Sequence, residues 1–343
     1  MSSDNEQANG GQTTFEATLD LITGFKKSQI VHVAARLGLA DHLRHGPKKN
    51  EEIAALIDLQ APLSLRLMRG LVWCGVVVQN EDGLYQLTDI GESLCTGAPG
   101  ALHEVAIGSR EQYPAWGSLW HTVQTGETSF NHVFDMAYFE YLAQHPDVGE
   151  NFNRRMAGMT KRVAEEIVQK YDFANLTTPI DVAGGHGILI SEILKANTQM
   201  NGILFDLPSV VEGAAKYLEE AGVHERCRVV GGSFFDSVPE GGNAYILKSI
   251  LHDWDDDKSL QILHSCRRAM HKESKLLIIE YEMPERVDQS ANHEVHMDLT
   301  MLVIHGGLER TRSQYESLLE ATGFQLNNVI PIGRERIFEA VPV

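Results

Sequence analysis

The chain has 343 residues, enough for one large domain or two ordinary ones, and 43% of them are apolar, which permits a sizeable buried core. Acidic residues outnumber basic ones by 47 − 29 = 18, a balance that repels nucleic-acid backbones and anionic lipid. Cys74, Cys95, Cys227 and Cys266 stand far apart without finger or redox spacing, so they read as buried thiols in a reducing compartment, and no metal site is expected.

Residues 1–14 are polar, lack the basic and apolar regions of a leader, and read as a disordered tail. No uncharged apolar run approaches the length of a membrane span, so the expected location is the cytoplasm. Ile30 to Ala40 carries apolar residues at helical spacing. Asn50 is placed to cap a second helix with Ile53, Leu56 and Ile57 on one face, and a third follows Pro62, burying Leu67, Met68, Leu71 and Val72. VVVQ-NEDG-LYQL reads as a hairpin turning at Asp82 and Gly83. Three helices and a hairpin make residues 15–100 a winged-helix-like unit. Its third helix offers only Arg66 and Arg69 as bases, so packing against a partner subunit is expected rather than DNA binding. Residues 101–172 read as a helical connector rich in aromatics, most of them core and some able to wall a flat ligand.

From residue 173 to 343 the pattern becomes strand, glycine turn, helix, repeated. PIDVA, GILFD, RCRVV, AYILK and KLLIIEYE are the strands, which predicts a mainly parallel sheet with its ligand at the strands' carboxyl ends. Asp181-Val182-Ala183-Gly184-Gly185-His186-Gly187 joins the first strand to its helix, and Asp206 ends the second, where a carboxylate can accept two ribose hydroxyls. Two nucleotide cofactors fit that outline. A dinucleotide needs a third glycine where Ile190 stands, and its pyrophosphate would be repelled by Asp181; a sulfonium cofactor with an ammonium group suits that acid.

LKSILHDWDDDKSL raises the question of chemistry. Asp255, Asp256 and Asp257 open a helix and complement its dipole. That does not account for His252, which a helix N-terminus would keep neutral and ready to accept a proton. Glu280 closes the strand KLLIIE at the same sheet edge, and Glu309 lies in HGGLERT. Either could hold the imidazole's Nδ1 proton. Each also has a structural alternative: Glu280 could pair with an arginine, and Glu309 could cap a helix.

In combination, DVAGGHG, FDLP, GGSFFDSVP, LKSILHDW, IIEYEMP and GGLERT resemble the S-adenosylmethionine-dependent O-methyltransferases of the caffeate and hydroxyindole type, with bacterial antibiotic- and phenazine-tailoring members. The resemblance spans nearly the whole chain. It implies an α/β fold: a Rossmann-like methyltransferase domain behind an N-terminal all-α winged-helix dimerisation domain, working as a homodimer. It implies catalysis by His252 as general base with Glu280 and Glu309 flanking it. The cofactor, S-adenosyl-L-methionine, would be held at Asp181, Gly184, Gly185, Asp206, Leu207, Ser233, Phe234 and Lys248, with Met156 and Thr160 closing over it. Trp116, Asn131, Met301 and His305 match substrate-pocket positions. Ser233 departs from the acid many members carry there, Ala183 replaces a frequent glycine, and the stretch before GGLERT is one residue shorter, which affects the alignment of His305. The expected activity is methylation of a hydroxyl on a small planar aromatic secondary metabolite. N- or C-methylation, a nicotinamide oxidoreductase and a winged-helix metabolite sensor are the alternatives.

Overall fold

The computed structural model describes residues 13–100 and 102–343. The tail expected over residues 1–14 therefore lies outside the described residues up to residue 12. Thr13 and Thr14 are helical in role: Thr13 caps α1 (Thr14–Arg36) in a capping box with Glu16. The chain divides into two compact units, one ending at Arg110 and the other starting at Glu111.

In the first unit, α1 is followed by α2 (Leu39–Leu43), α3 (Asn50–Leu56), α4 (Ala61–Trp73), the antiparallel pair β1 (Val77–Gln79) and β2 (Tyr85–Leu87), and the short α5 (Asp89–Glu92). The helix expected over residues 30–40 is broken at Gly38, whose φ of 60° takes the left-handed conformation that stops α1 and restarts the chain as α2. Asn50 is the first residue of α3 and not its cap; Lys49 occupies the cap, and the Asn50 amide bonds the Ala61 carbonyl at 2.9 Å. Ile53, Ile57, Met68 and Leu71 form the core as expected, but Leu56 and Val72 are exposed. The hairpin's Asp82-Gly83 lies within a five-residue loop instead of a two-residue turn, because Asn80 Oδ1 accepts the Leu84 N–H at 2.9 Å and closes the loop around it.

The second unit begins within α6 (Leu102–Gly117). Next come α7 (Leu119–Thr125), α8 (Ser129–Phe134), α9 (Tyr138–Gln144) and α10 (Pro146–Lys170). Phe130 and Tyr138 are buried against Val303 and Ile304, with Trp116, Phe134, Phe139 and Phe152 packed at the margin. Most of the aromatics are core; Trp120, 72% exposed, is not.

Seven strands then form one sheet: β3 (Pro179–Val182), β4 (Gly202–Asp206), β5 (Cys227–Gly231), β6 (Ala244–Lys248), β7 (Lys275–Tyr281), β8 (Phe324–Ile332) and β9 (Glu335–Pro342). Their order is β5-β4-β3-β6-β7-β9-β8. The first five are parallel, and β9 pairs antiparallel with both β7 and β8. Helices α11 (Ile188–Ala196), α12 (Pro208–Val211), α13 (Ala214–Glu220) and α14 (Asp256–Ala269) are the crossovers; α15 (Asn292–Thr300) and α16 (Arg312–Ala321) precede the final hairpin. Both faces are covered, which is why the middle residues of AYILK and KLLIIEY form unbroken apolar runs. Tyr245, Leu247, Leu276 and Ile278 enter one core, and Ala244, Ile246, Leu277 and Ile279 the other, at the two-residue period of a strand. Strand order reverses between β3 and β6, so the crevice for a ligand opens at their carboxyl ends. Among the described residues, no helix is long and apolar enough to cross a membrane.

Candidate active site

The turn after β3 is built to leave backbone exposed. Ala183 takes a φ of 56° and Gly185 one of 60°. A Cβ on Gly184 would lie 2.5 Å from the Asp181 carboxyl and 2.7 Å from Leu204, whereas one on Gly185 would meet nothing within 4 Å. Thus Gly184 is needed to seat the turn on β3, and Gly185 faces open space. The Asp206 carboxylate at the end of β4 accepts the Gly185 N–H at 2.8 Å and the Leu207 N–H at 2.7 Å. Each oxygen accepts about two hydrogen bonds, so there is room for a vicinal diol. Burial raises the Asp206 pKa against those two amides and His186. Asp181 lies beneath the turn, 2% exposed, and accepts the Ile190 N–H at 3.3 Å. Burial pushes its pKa up to about 7; the Ile190 bond and Lys248 oppose the rise and Asp206 adds to it. Two acids, an exposed Leu207 and an open glycine backbone fit the ribose and cationic groups of S-adenosylmethionine.

His252 sits in a single 3₁₀ turn, Leu251–Asp253, between β6 and α14. Its Nδ1 faces Glu309 Oε1 at 2.7 Å, and because a carboxylate only accepts, the imidazole donates. Glu280 acts differently. Its Oε1 accepts the N–H groups of Ile250 and Leu251 at 2.8 and 2.9 Å, and its Oε2 lies 3.5 Å from His252 Nδ1. So Glu309 grips the ring while Glu280 pins the backbone that carries it. Neither structural alternative holds: Glu280 binds amides, and the cap of α16 is Thr311. The acids after His252 behave as helix openers, with Asp255 accepting the Lys258 N–H at 2.8 Å.

The electrostatic setting of His252 runs against the neutral imidazole expected from its place before a helix. Burial lowers its pKa, but Glu280, Glu309 and Asp253 together outweigh burial and raise it to about 10. Glu280 is raised to about 7 by burial, with His252 pulling it down and Glu309 pushing it up. Three carboxylates within reach of one ring overwhelm a helix dipole that falls off within a turn.

Some of these contacts lay beyond sequence reasoning. Asp253 Oδ1 stands 3.7 Å from His252 Nε2 and 3.5 Å from His305 Nδ1, bridging two buried imidazoles. Arg310 is fully buried and donates to Leu251 O, Trp254 O, Ser259 Oγ and Asp256 Oδ1, tying down the segment that carries His252. A Cβ on Gly307 would lie 2.0 Å from the His252 carbonyl oxygen, so the backbone of GGLERT presses directly on the histidine's turn. The motif itself was the available signal; only Glu309 was read from it.

The other expected site residues lie on several elements. Met301, buried, and His305 lie on a π-helical turn, Met301–His305, and the His305 ring meets Tyr138 edge-on at 4.9 Å. Trp116 and Asn131 are half-buried on α6 and α8. Met156 and Thr160 are half-buried on α10, next to Arg155, whose charge acts on Tyr138 and His305. Ser233 Oγ accepts the Phe235 N–H at 3.2 Å and so holds its own turn, and Phe234 packs on Phe235 and Trp254. Lys248 ends β6 with Nζ 3.1 Å from Ser249 Oγ and 3.5 Å from Glu335 Oε1.

The glycine turn after β3 and the carboxylate-held histidine after β6 follow neighbouring parallel strands, where an enzyme of this sheet class holds a nucleotide-type cofactor. Residues 116–325 match the O-methyltransferase domain family, and residues 19–97 match the O-methyltransferase dimerisation domain. The phenazine O-methyltransferase PhzM of Lysobacter antibioticus is 44% identical over 327 residues, 95% of each chain. The crystal structure of LaPhzM superimposes with a TM-score of 0.92 at 43% identity, covering 97% of this chain and 100% of that one. NcsB1, an O-methyltransferase from neocarzinostatin biosynthesis solved with S-adenosylmethionine and 2-hydroxy-5-methyl naphthoic acid, gives 0.85 at 30% identity, covering 97% and 100%. The chain belongs to the S-adenosylmethionine-dependent O-methyltransferases. That assignment does not favour the oxidoreductase or the metabolite sensor.

Proposed function

We propose that this enzyme methylates a hydroxyl of a small planar aromatic in secondary-metabolite tailoring, with His252 as general base. The reading rests most on the 2.7 Å contact between His252 Nδ1 and Glu309, which fixes the ring and leaves Nε2 for the acceptor oxygen. Aromatic side chains near His305 supply flat walls, and the hydroxylated naphthoic acid held by NcsB1 supports a flat acceptor. When bound, S-adenosylmethionine supplies an electrophilic methyl group; the protein's part is to place the oxygen in line and manage its proton.

An imidazole at its ordinary 6.5 would take a proton from a phenol of pKa ~10 at a cost of about 5 kcal/mol; raised to about 10, the two are matched. The productive complex holds one proton between Nε2 and the acceptor oxygen. It is the same complex whether hydroxyl meets imidazole or oxyanion meets imidazolium. Free enzyme and hydroxyl substrate together carry one proton more, so turnover at limiting acceptor rises with pH. Asp181, Gly184, Gly185, Asp206, Leu207, Ser233, Phe234 and Lys248 are assigned to the cofactor, with Met156 and Thr160 covering it. Trp116, Asn131, Met301 and His305 are assigned to the acceptor.

A homodimer is part of the proposal. Phe15, Leu21, Ile22 and Phe25 on α1 are each more than 60% exposed, and Trp73 on α4 is 51% exposed. An apolar surface of that kind is a protein-interaction site, and all of these residues but Phe15 lie within the dimerisation-domain match.

The test is a screen of planar hydroxylated aromatics with labelled methyl donor, followed by His252→Ala on the best acceptor. Turnover should fall by at least ~100-fold with cofactor affinity retained. Unchanged turnover refutes the role of His252, and methylation of only nitrogen or carbon refutes the acceptor class.

A further inference from the structure

Among the described residues there are two groups of three side chains whose possible metal-ligand atoms lie, within each group, no more than 4.8 Å apart. One is His252 with its glutamates; the other is His121, Glu127 and His132. The second group has no part in the chemistry above, and its spacing is invisible as a motif because it spans two helices and a turn. His121 sits on α7, Glu127 in the connecting turn and His132 on α8. His121 Nε2 lies 2.8 Å from Glu127 Oε2, and the two imidazoles stack with centroids 3.7 Å apart.

We propose that His121, Glu127 and His132 bind a divalent transition-metal ion of the zinc or nickel class, which clasps α7 to α8. The turn between the helices is built to hold this geometry. Gly126 caps α7 in the left-handed conformation, the Glu127 N–H bonds Thr125 Oγ1 at 3.1 Å, and Thr128 caps α8 through the Asn131 N–H at 3.2 Å. Beneath it, buried Thr122 and Ser129 join their hydroxyls at 2.5 Å. Two imidazoles and one carboxylate select zinc, nickel or copper over magnesium and calcium, which prefer all-oxygen ligands. Ligands at about 2.1 Å around a tetrahedral ion stand about 3.4 Å apart. The His121–Glu127 pair therefore opens slightly on binding, and one ring turns about its Cβ–Cγ bond so that both nitrogens point at the ion. That torsion is broad and soft in histidine, and exposed His132 has room to make it. A fourth position is left for water.

The clasp has a consequence for the acceptor pocket. Asn131 precedes His132 on α8, and Phe130 of the same helix packs with Val303 and Ile304 of the π-helical turn. An ion here stiffens the helix that presents Asn131.

The experiment titrates the chelator-treated full-length protein with Zn2+ by calorimetry and records the visible spectrum with Co2+. Wild type and His252→Ala are expected to show the same saturable site and the same rise in Tm with Zn2+. Glu127→Gln and the double variant His121→Ala/His132→Ala should bind Zn2+ ~10-fold or more weakly, while keeping the wild-type Tm in metal-free buffer. Absence of saturable Zn2+ binding in the wild type overturns the proposal. So does undiminished affinity in the double variant, or loss of all binding in His252→Ala.

Discussion

Glu309→Gln isolates the charge on the ring of His252. The substitution keeps the side chain's size and leaves the cap of α16 to Thr311, so the fold should persist. What it removes is a charged hydrogen bond of 2.7 Å to a fully buried imidazole. Such a bond contributes about 1.5–3 kcal/mol, and ~1.4 kcal/mol is tenfold in rate, so kcat should fall ~10- to 100-fold. The pKa of His252, raised to about 10 by its carboxylates against burial, should drop. The rising limb of kcat/KM against pH then moves to lower pH in the variant. The assay is methyl transfer to a phenolic acceptor between pH 6 and about 10, with cofactor affinity measured separately. Unchanged kcat with an unmoved limb would refute the idea that Glu309 tunes the ring; a lost cofactor affinity would show instead that the residue supports the crevice.

Other predictions follow from the same contacts. Glu280→Ala leaves the amides of Ile250 and Leu251 unpaired in the interior, and at about 1–3 kcal/mol for each buried orphan the Tm should fall by several degrees; an unchanged Tm would contradict it. Gly307→Ala forces a Cβ to within 2.0 Å of the His252 carbonyl oxygen, so activity should be lost before cofactor binding is; full activity would mean that the two segments are not in contact. Glu280 and Asp181 have folded pKa values near 7, above their unfolded values, so their stabilisation is complete below about 4 and is lost as pH rises through 7. His252, raised to about 10, carries the same sign from about 6.5 upward. Tm should therefore decline from mildly acidic to alkaline pH, and Glu280→Gln should flatten the part near neutrality; a Tm that rises over this range contradicts those assignments.

Much of the architecture was legible because it rests on local rules. Apolar strands alternating with amphipathic helices predict a parallel sheet wherever they occur, and a glycine turn between the first strand and helix marks the crevice. The final hairpin of β8 and β9 was not legible. Residues such as Gln325, Asn327 and Asn328 blur its alternation, and its place beside β7 depends on pairings such as Ile279 with Ile337. The break at Gly38 and the cap at Lys49 were missed for a smaller reason, since neighbouring residues offered equally good local signals.

His252, Glu280 and Glu309, the residues proposed for catalysis, were singled out from the sequence alone, as motif positions at strand and helix ends. How strongly that histidine holds its proton was decided only by tertiary structure. Asp253, Glu280 and Glu309 arrive at one ring from different parts of the chain, and electrostatic energy depends on distance in space and on exclusion of water, neither of which a linear pattern contains. The same holds for His121, Glu127 and His132, which become neighbours only when a short turn folds one helix back on another.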